Sequence, residues 1–227
     1  MTRRPTLSGL LWPDDSQDSD LPQEWARNVA VRVLDWTWRA FDNLASNHLS
    51  RIDLAQPLEQ LERDLTRNHF MEIQEIWKVE TDGFSSLVPF HEWPEMETRS
   101  SASARPPAYD LGFTCNQNRR WAWPIEAKVL PTAGTFYEYM RDVEKFTTGI
   151  AAPLVGEGGM IGYLQSGMPN DFFTNLQHHL SEPLSAFTGF TARPHRASSH
   201  KRSTAPTLRL HHMVMILPAI PSTVPGE

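Results

Sequence analysis

Cysteine is nearly absent from this chain. Its single copy, Cys115, excludes an internal disulfide and any cysteine-based zinc site, and is in keeping with a reducing, cytoplasmic setting. Long apolar runs are missing as well: no stretch approaches the ~18 residues of a membrane span. The opening Met-Thr-Arg-Arg-Pro leads only to a brief apolar patch at Leu10–Trp12 before acids begin, so no secretory leader is expected. Internal repeats are lacking. So are a phosphate-cradling Gly-x-x-x-x-Gly-Lys loop and a Gly-x-Ser-x-Gly elbow, which argues against a P-loop nucleotidase and a serine hydrolase.

Positive charge is also scarce overall. The net charge of −6 excludes a generic nucleic-acid coat. Its distribution is uneven, however. Residues 1–104 hold 10 Lys and Arg against 18 Asp and Glu, while residues 105–227 hold 11 against 9, so the halves carry −8 and +2. From Pro183 to Gly226 there are five basic residues and no acid. The basic half is the half that carries the chemistry argued below.

What is present suits a soluble α/β protein of 227 residues, 40% hydrophobic and 21% charged, long enough to bury a sizeable core. Residues 1–21, with four Asp among Pro and Ser, read as a flexible arm. Residues 22–52 form an N-terminal helical extension. Its helix opens at Leu21-Pro22-Gln23-Glu24 and runs to about Asn47, with an apolar stripe of Trp25, Val29, Val33, Trp36 and Leu44 flanked by Trp38 and Phe41. That stripe suits packing or a contact between copies. Residues 53–220 form the main domain and 221–227 a tail.

Within the main domain, Asp53 is placed to cap a helix over about 54–76, with Leu54, Leu58, Leu61 and Leu65 on one narrow face. Glu62 lies about 70° from that stripe at ~100° per residue. Val79–Phe90 contains a strand, and Ser100–Pro107 a flexible approach to a hairpin. After the hairpin, Pro131–Gly134 turn the chain and Thr135 caps a helix to about Thr148. Met160–Leu164 is a short buried strand. The order strand, helix, strand makes it parallel to the strand containing Glu126–Leu130. Asn170 or Asp171 then caps a helix over Phe172–Leu180. Residues 183–207 form a basic linker or loop, and Leu208–Leu217 a last strand.

The hairpin is the informative part. Tyr109–Thr114 and Ala122–Leu130 alternate as strands around the polar loop Cys115–Arg120. Tyr109, Leu111 and Phe113 share one face, and Trp123, Ile125, Ala127 and Val129 one face of the second strand. If the loop closes symmetrically about Asn118, Leu111 pairs with Ile125, Phe113 with Trp123 and Asp110 with Glu126. Two carboxylates roughly 4.5–5.5 Å apart at Cβ repel. A cation between them, or a proton on one, relieves that repulsion. Two carboxylates, a nearby carbonyl and room for water suit Mg²⁺, and Lys128 on the same face can orient a water or stabilise developing negative charge.

The spacing Asp110 … Glu126-Ala127-Lys128 resembles the active-site signature of the PD-(D/E)XK nuclease superfamily. The likeness covers about residues 53–165, where helix, hairpin, helix and strand follow the order of the restriction-endonuclease-like core. It implies a central mixed β-sheet flanked by helices, here with an added N-terminal helix. It also implies a Mg²⁺- or Mn²⁺-dependent endonuclease cutting DNA, with Asp110, Glu126 and the Ala127 carbonyl as metal ligands and Lys128 positioning water. A glutamate on the preceding helix, best matched by Glu62 with Glu59 and Glu72 as rivals, would support the site. Small bacterial nucleases of this type commonly serve restriction, repair or anti-phage systems, which implies further protein subunits. Arg141 and Lys145 on the following helix, and Arg196, His200, Lys201 and Arg202 in the basic stretch, are candidate nucleic-acid contacts.

An exposed Glu and Lys on a surface hairpin produce the same short signature. The alternative reading is therefore a nuclease-fold scaffold, catalytically inactive, that binds a partner ATPase or helicase through its Trp-rich first helix and acidic first half. A third class is a carboxylate-pair glycosidase, which needs carboxyls roughly 5–9.5 Å apart and leaves Lys128 without a purpose. His211-His212 invites a metal, but adjacent strand residues point to opposite faces, so the pair reads as structural.

Overall fold

A computed structural model describes residues 21–83, 85–94, 108–118, 120–203 and 205–218, with the side chains of 21–23 left aside. Residues 1–20 of the expected arm, the whole of the expected approach to the hairpin and the tail lie outside the described residues. Helix α1 is Leu21–Asn47 and α2 Leu58–Thr81; strands β1, β2 and β3 are Leu87–Pro94, Ala108–Cys115 and Ala122–Leu130. Helix α3, Tyr137–Thr147, precedes β4, Glu157–Leu164. Helix α4, Pro169–His179, then leads to β5, His195–His200, and β6, Leu208–Ile216.

Among the described residues these strands make one mixed sheet in the order β1-β2-β3-β4-β6-β5. The central β3, β4 and β6 are mutually parallel, β1 and β2 run antiparallel on one side, and β5 runs antiparallel to β6 on the other. The chain is thus α/β, a central mixed sheet flanked by helices. The predicted parallel pairing of β3 with β4 is observed, Glu126 opposite Met160 and Lys128 opposite Gly162.

Both faces of the sheet are covered, which is why β4 is buried along its whole length instead of alternating. On one face, Trp36 of α1 packs on Phe113 and His69 of α2 on Tyr163. On the other, Tyr139 of α3 packs on His212 and Phe172 of α4 on Tyr139. Trp36, Trp123, Tyr139 and Tyr163 are essentially fully buried, and each removes on the order of 150–250 Å² of surface from water. The α1 stripe is used much as its period requires: Val33, Trp36, Trp38, Phe41 and Leu44 are buried, with Trp25 and Val29 packed at the edge.

Several boundaries differ from the sequence expectation. Helix α2 starts after Pro57, not Asp53; the Asp53 carboxylate instead accepts the Ala55 N–H in a turn before the helix. It continues past 76 to Thr81 and stops where Asp82 adopts φ 50°, so Val79 is helical and β1 begins only at Leu87. The buried stripe therefore shifts to Leu61, Leu65, His69, Glu72, Ile73 and Ile76, leaving Leu58 about half exposed. Neither α3 nor α4 has a side-chain cap: Thr135 pairs with Thr132, and α4 opens on Pro169, whose fixed φ suits the first turn. Residues 183–207 are not simply a linker, because they contain β5, which pairs with β6 from His195–Met213 to His200–Leu208.

Candidate functional site

The site lies where β2 and β3 part. Their ladder pairs Thr114 with Ala122, Phe113 with Trp123 and Leu111 with Ile125, the register that closure about Asn118 requires. The pairing ends there. In place of a further rung, the Asp110 carboxylate (Oδ2) accepts the main-chain N–H of Ala127 at 2.8 Å. On the other flank the β1–β2 ladder passes from His91–Leu111 to Trp93–Tyr109 without a Glu92–Asp110 pair, and Glu92 has φ 52°. A non-glycine residue in the left-handed region inside a strand marks local strain of the kind that re-aims neighbouring side chains. Side-chain alternation breaks at the same point. Phe113 packs on Trp36, whereas Tyr109 turns to Phe146 on the opposite face, so the expected common face of Tyr109, Leu111 and Phe113 is not kept.

The freed carboxylates converge. Glu126 is 7% exposed, and its carboxyl lies within hydrogen-bonding reach of that of Asp110. Burial, then repulsion from Asp110 and from Asp142 on α3, pushes the Glu126 carboxyl well above the usual glutamate range. One of these two converging acids thus tends to hold a proton unless positive charge arrives.

Lys128 supplies part of that charge. Its Nζ donates to Glu62 Oε1 at 2.7 Å and to the Ala127 carbonyl at 2.9 Å, and it lies 3.3 Å from Asp142 Oδ2 and 3.9 Å from Asp110 Oδ2. Burial alone would pull the ammonium pKa down, but Asp110, Glu62 and Asp142 outweigh it and raise it, so Lys128 stays charged. Glu62 also accepts the Val129 N–H at 3.3 Å. Burial raises its pKa against the opposing pull of Lys128. Of the three glutamates considered on α2, Glu62 alone makes these contacts. Glu59 pairs with Arg63, and Glu72 with His48.

Asp142 went unnoticed in the sequence. It is 2% exposed and bonds the Lys145 ammonium as well as facing Lys128. The signal was its phase: three residues after Tyr139 and four before Phe146, it falls on the buried stripe of α3, where an acid is out of place.

Four carboxylates, Glu62, Asp110, Glu126 and Asp142, thus surround two ammonium groups, Lys128 and Lys145. The surplus is negative. Among the described residues no group of three His, Cys, Asp or Glu side chains is disposed around one point to hold a metal, since Lys128 occupies the middle of this cluster. The donor chemistry nonetheless fits a small oxygen-seeking divalent ion. Buried Glu126 and partly exposed Asp110 converge beside a main-chain carbonyl, and a cation there would offset the burial and repulsion that raise the Glu126 carboxyl.

The expected nucleic-acid contacts divide. Arg141 and Lys145 lie on α3 and pair with Glu138 and Asp142. Lys145 therefore belongs to the acid cluster. Lys201 is exposed, and Arg196 stacks on Phe173 with its guanidinium donating to the His195 carbonyl. Arg202 and His200 turn inward, away from any phosphate. The Arg202 guanidinium donates to the carbonyls of Phe146, Ala152, Val155 and Pro206, and buried His200 bonds Ser198. A basic pair in a linker has become a staple and a core residue because β5 folds against β6.

His211 and His212 point to opposite faces, as strand geometry requires. His211 bridges Glu157 and His195, and His212 bridges Tyr139 and Ser198. Burial lowers the pKa of both, so they are neutral core groups. No helix among the described residues is long and apolar enough to cross a membrane.

No family model matches the chain, and no curated protein or solved structure is significantly similar to it.

Proposed function

We propose that this protein is a metal-dependent nuclease hydrolysing phosphodiester bonds, with DNA as its substrate. The observation that carries the reading is the meeting of Asp110, Glu126 and Lys128 where β2 and β3 diverge, braced by Glu62 from α2. Asp110, Glu126 and the Ala127 carbonyl would hold Mg²⁺ or Mn²⁺. When bound, that ion supplies Lewis-acid polarisation of a phosphoryl oxygen.

The chain's own groups do the rest. Asp110 keeps its carboxylate fixed by accepting the Ala127 N–H, so one oxygen remains for a ligand. Lys128, held charged, donates hydrogen bonds that orient a water against phosphorus and stabilise charge on the phosphate. Glu62 keeps the ammonium aimed by bonding it at 2.7 Å. Arg196 and Lys201, outside the cluster, contact the phosphate backbone. The resemblance to small bacterial nucleases extends this proposal to restriction, repair or anti-phage systems.

The test is cleavage of plasmid and linear DNA with Mg²⁺, with Mn²⁺ and with chelator, by the parent, Glu126→Ala and Lys128→Ala proteins. Cutting only by the parent and only with metal supports the proposal; undiminished cutting by Glu126→Ala overturns it.

One observation favours a second reading, the scaffold. The Lys128 ammonium already takes up the Ala127 carbonyl and Glu62, which pairs these groups without a metal. A calorimetric titration showing no binding at millimolar Mg²⁺ or Mn²⁺ would favour a subunit that holds a partner ATPase or helicase.

A further inference from the structure

We infer that Asp142 is a positioning residue for Lys128, the fixed anchor that keeps the ammonium off the Asp110–Glu126 pair so that a cation can reach it. The catalytic consequence rests on the nuclease reading above; the anchoring itself does not.

Lys128 projects from β3 into a gap between helices on opposite faces of the sheet. Glu62 of α2 holds it from one side at 2.7 Å and Asp142 of α3 faces it from the other at 3.3 Å. Asp110 stands 3.9 Å away, beyond hydrogen-bond distance. The ammonium's nearest acids are therefore two that are not the converging pair, with the Ala127 carbonyl as its third close partner and Asp110 at longer ion-pair range. A carboxylate 2% exposed on a stripe that otherwise buries Tyr139, Val143 and Phe146 is unfavourable unless paired. Asp142 is paired twice, inward with Lys128 and outward with Lys145, whose partial exposure connects the cluster to solvent. An apolar residue would pack there at lower cost, but it would leave Lys128 held only by Glu62 and the Ala127 carbonyl, with no acid on the α3 side. Freed on that side, the ammonium has one short move available, across the remaining gap to Asp110, where it would compete with a divalent ion for the same oxygens.

Asp142→Asn, Lys128→Met and the double variant test this as a cycle, with Mn²⁺ alone as the probe by calorimetry. Asp142→Asn is expected to weaken Mn²⁺ binding by roughly 10–100-fold. In the Lys128→Met background the same change is expected to have little further effect, because the anchor has nothing left to hold. An equal loss in both backgrounds would mean that Asp142 acts through its own charge or through folding, and the inference falls. Should the parent bind no Mn²⁺, the nuclease reading fails, and a crystal structure of Asp142→Asn decides the anchor by itself. Lys128 Nζ drawn to Asp110 supports it; Nζ unmoved overturns it.

Discussion

The Asp110 carboxylate takes the place of a backbone rung by accepting the Ala127 N–H at 2.8 Å. One side chain thereby ends a ladder and opens a site. Because the same group faces Glu126, charge and hydrogen bonding at Asp110 can be separated by substitution. Asp110→Asn keeps an oxygen for the Ala127 N–H and removes the repulsion. It is expected to abolish metal-dependent cleavage while raising the melting temperature of the metal-free protein at neutral pH. Asp110→Ala leaves the Ala127 N–H unpartnered, which costs about 1–3 kcal/mol, and should melt below Asp110→Asn.

Divalent ions should stabilise the parent. At a concentration about a hundredfold above the dissociation constant, linkage gives about 2.7 kcal/mol, visible as a rise in melting temperature with Mg²⁺ or Mn²⁺. Glu126→Gln should show no such rise.

Glu126 also gives stability a pH signature. Its folded pKa is raised above the ordinary 4.5, so the folded state keeps a proton that the unfolded chain releases. Its contribution is fully present below that ordinary value and is lost as pH climbs toward the raised one. Relative to the parent, Glu126→Gln should therefore gain stability with rising pH, measured by urea unfolding in the absence of metal. A constant difference across pH would contradict the burial of a protonated carboxyl.

The buried histidines act in the opposite sense. Burial lowers His69 from 6.5 to about 4 and His195 to about 3, and lowers His200, His211 and His212 as well. The unfolded chain takes up these protons first. Stability is full above 6.5 and falls as the pH drops from there toward 4 and 3. His69 alone accounts for roughly 3 kcal/mol over its window. Urea midpoints measured from pH 7 to 4 should decline steeply, and replacing His69 with Gln should flatten the slope.

Gly112 supports the fold beside the site. A Cβ there would lie 2.5 Å from both the Phe90 ring and the Trp123 carbonyl oxygen, and the latter is backbone that cannot step aside. Gly112→Ala should cost roughly 1–3 kcal/mol by chemical denaturation.

The hairpin was legible in the sequence because apolar pairs such as Leu111–Ile125 and Phe113–Trp123 permit one register only. From that register arithmetic set Asp110 opposite Glu126; the ladder stops one pair short, at Leu111–Ile125, and the two carboxyls meet through their side chains instead. Lys128 and Glu62 were also recoverable, one by alternation along β3 and the other by its angle on α2. Asp142 was not, because a charged residue on a helix reads as solvent-facing until its phase against Tyr139 and Phe146 is weighed. Strand β5 was hidden for a related reason. His195–His200 carries Arg, Ser and His in place of the β-branched and aromatic residues that announce a strand, and only pairing with β6 makes it one. Arg202 was misplaced along with it, its guanidinium spent on carbonyls that no local pattern reveals.

The left-handed turn of Glu92 reaches beyond the site it borders. Among the described residues strand β1 forms one margin of the sheet, and Pro89 and Pro94 each lack an N–H to offer there. With the backbone wrenched between them at Glu92, that margin has no unbroken row of donors on which a foreign strand could be laid. The irregularity that frees a carboxylate also keeps neighbouring molecules from zipping onto the sheet at this border.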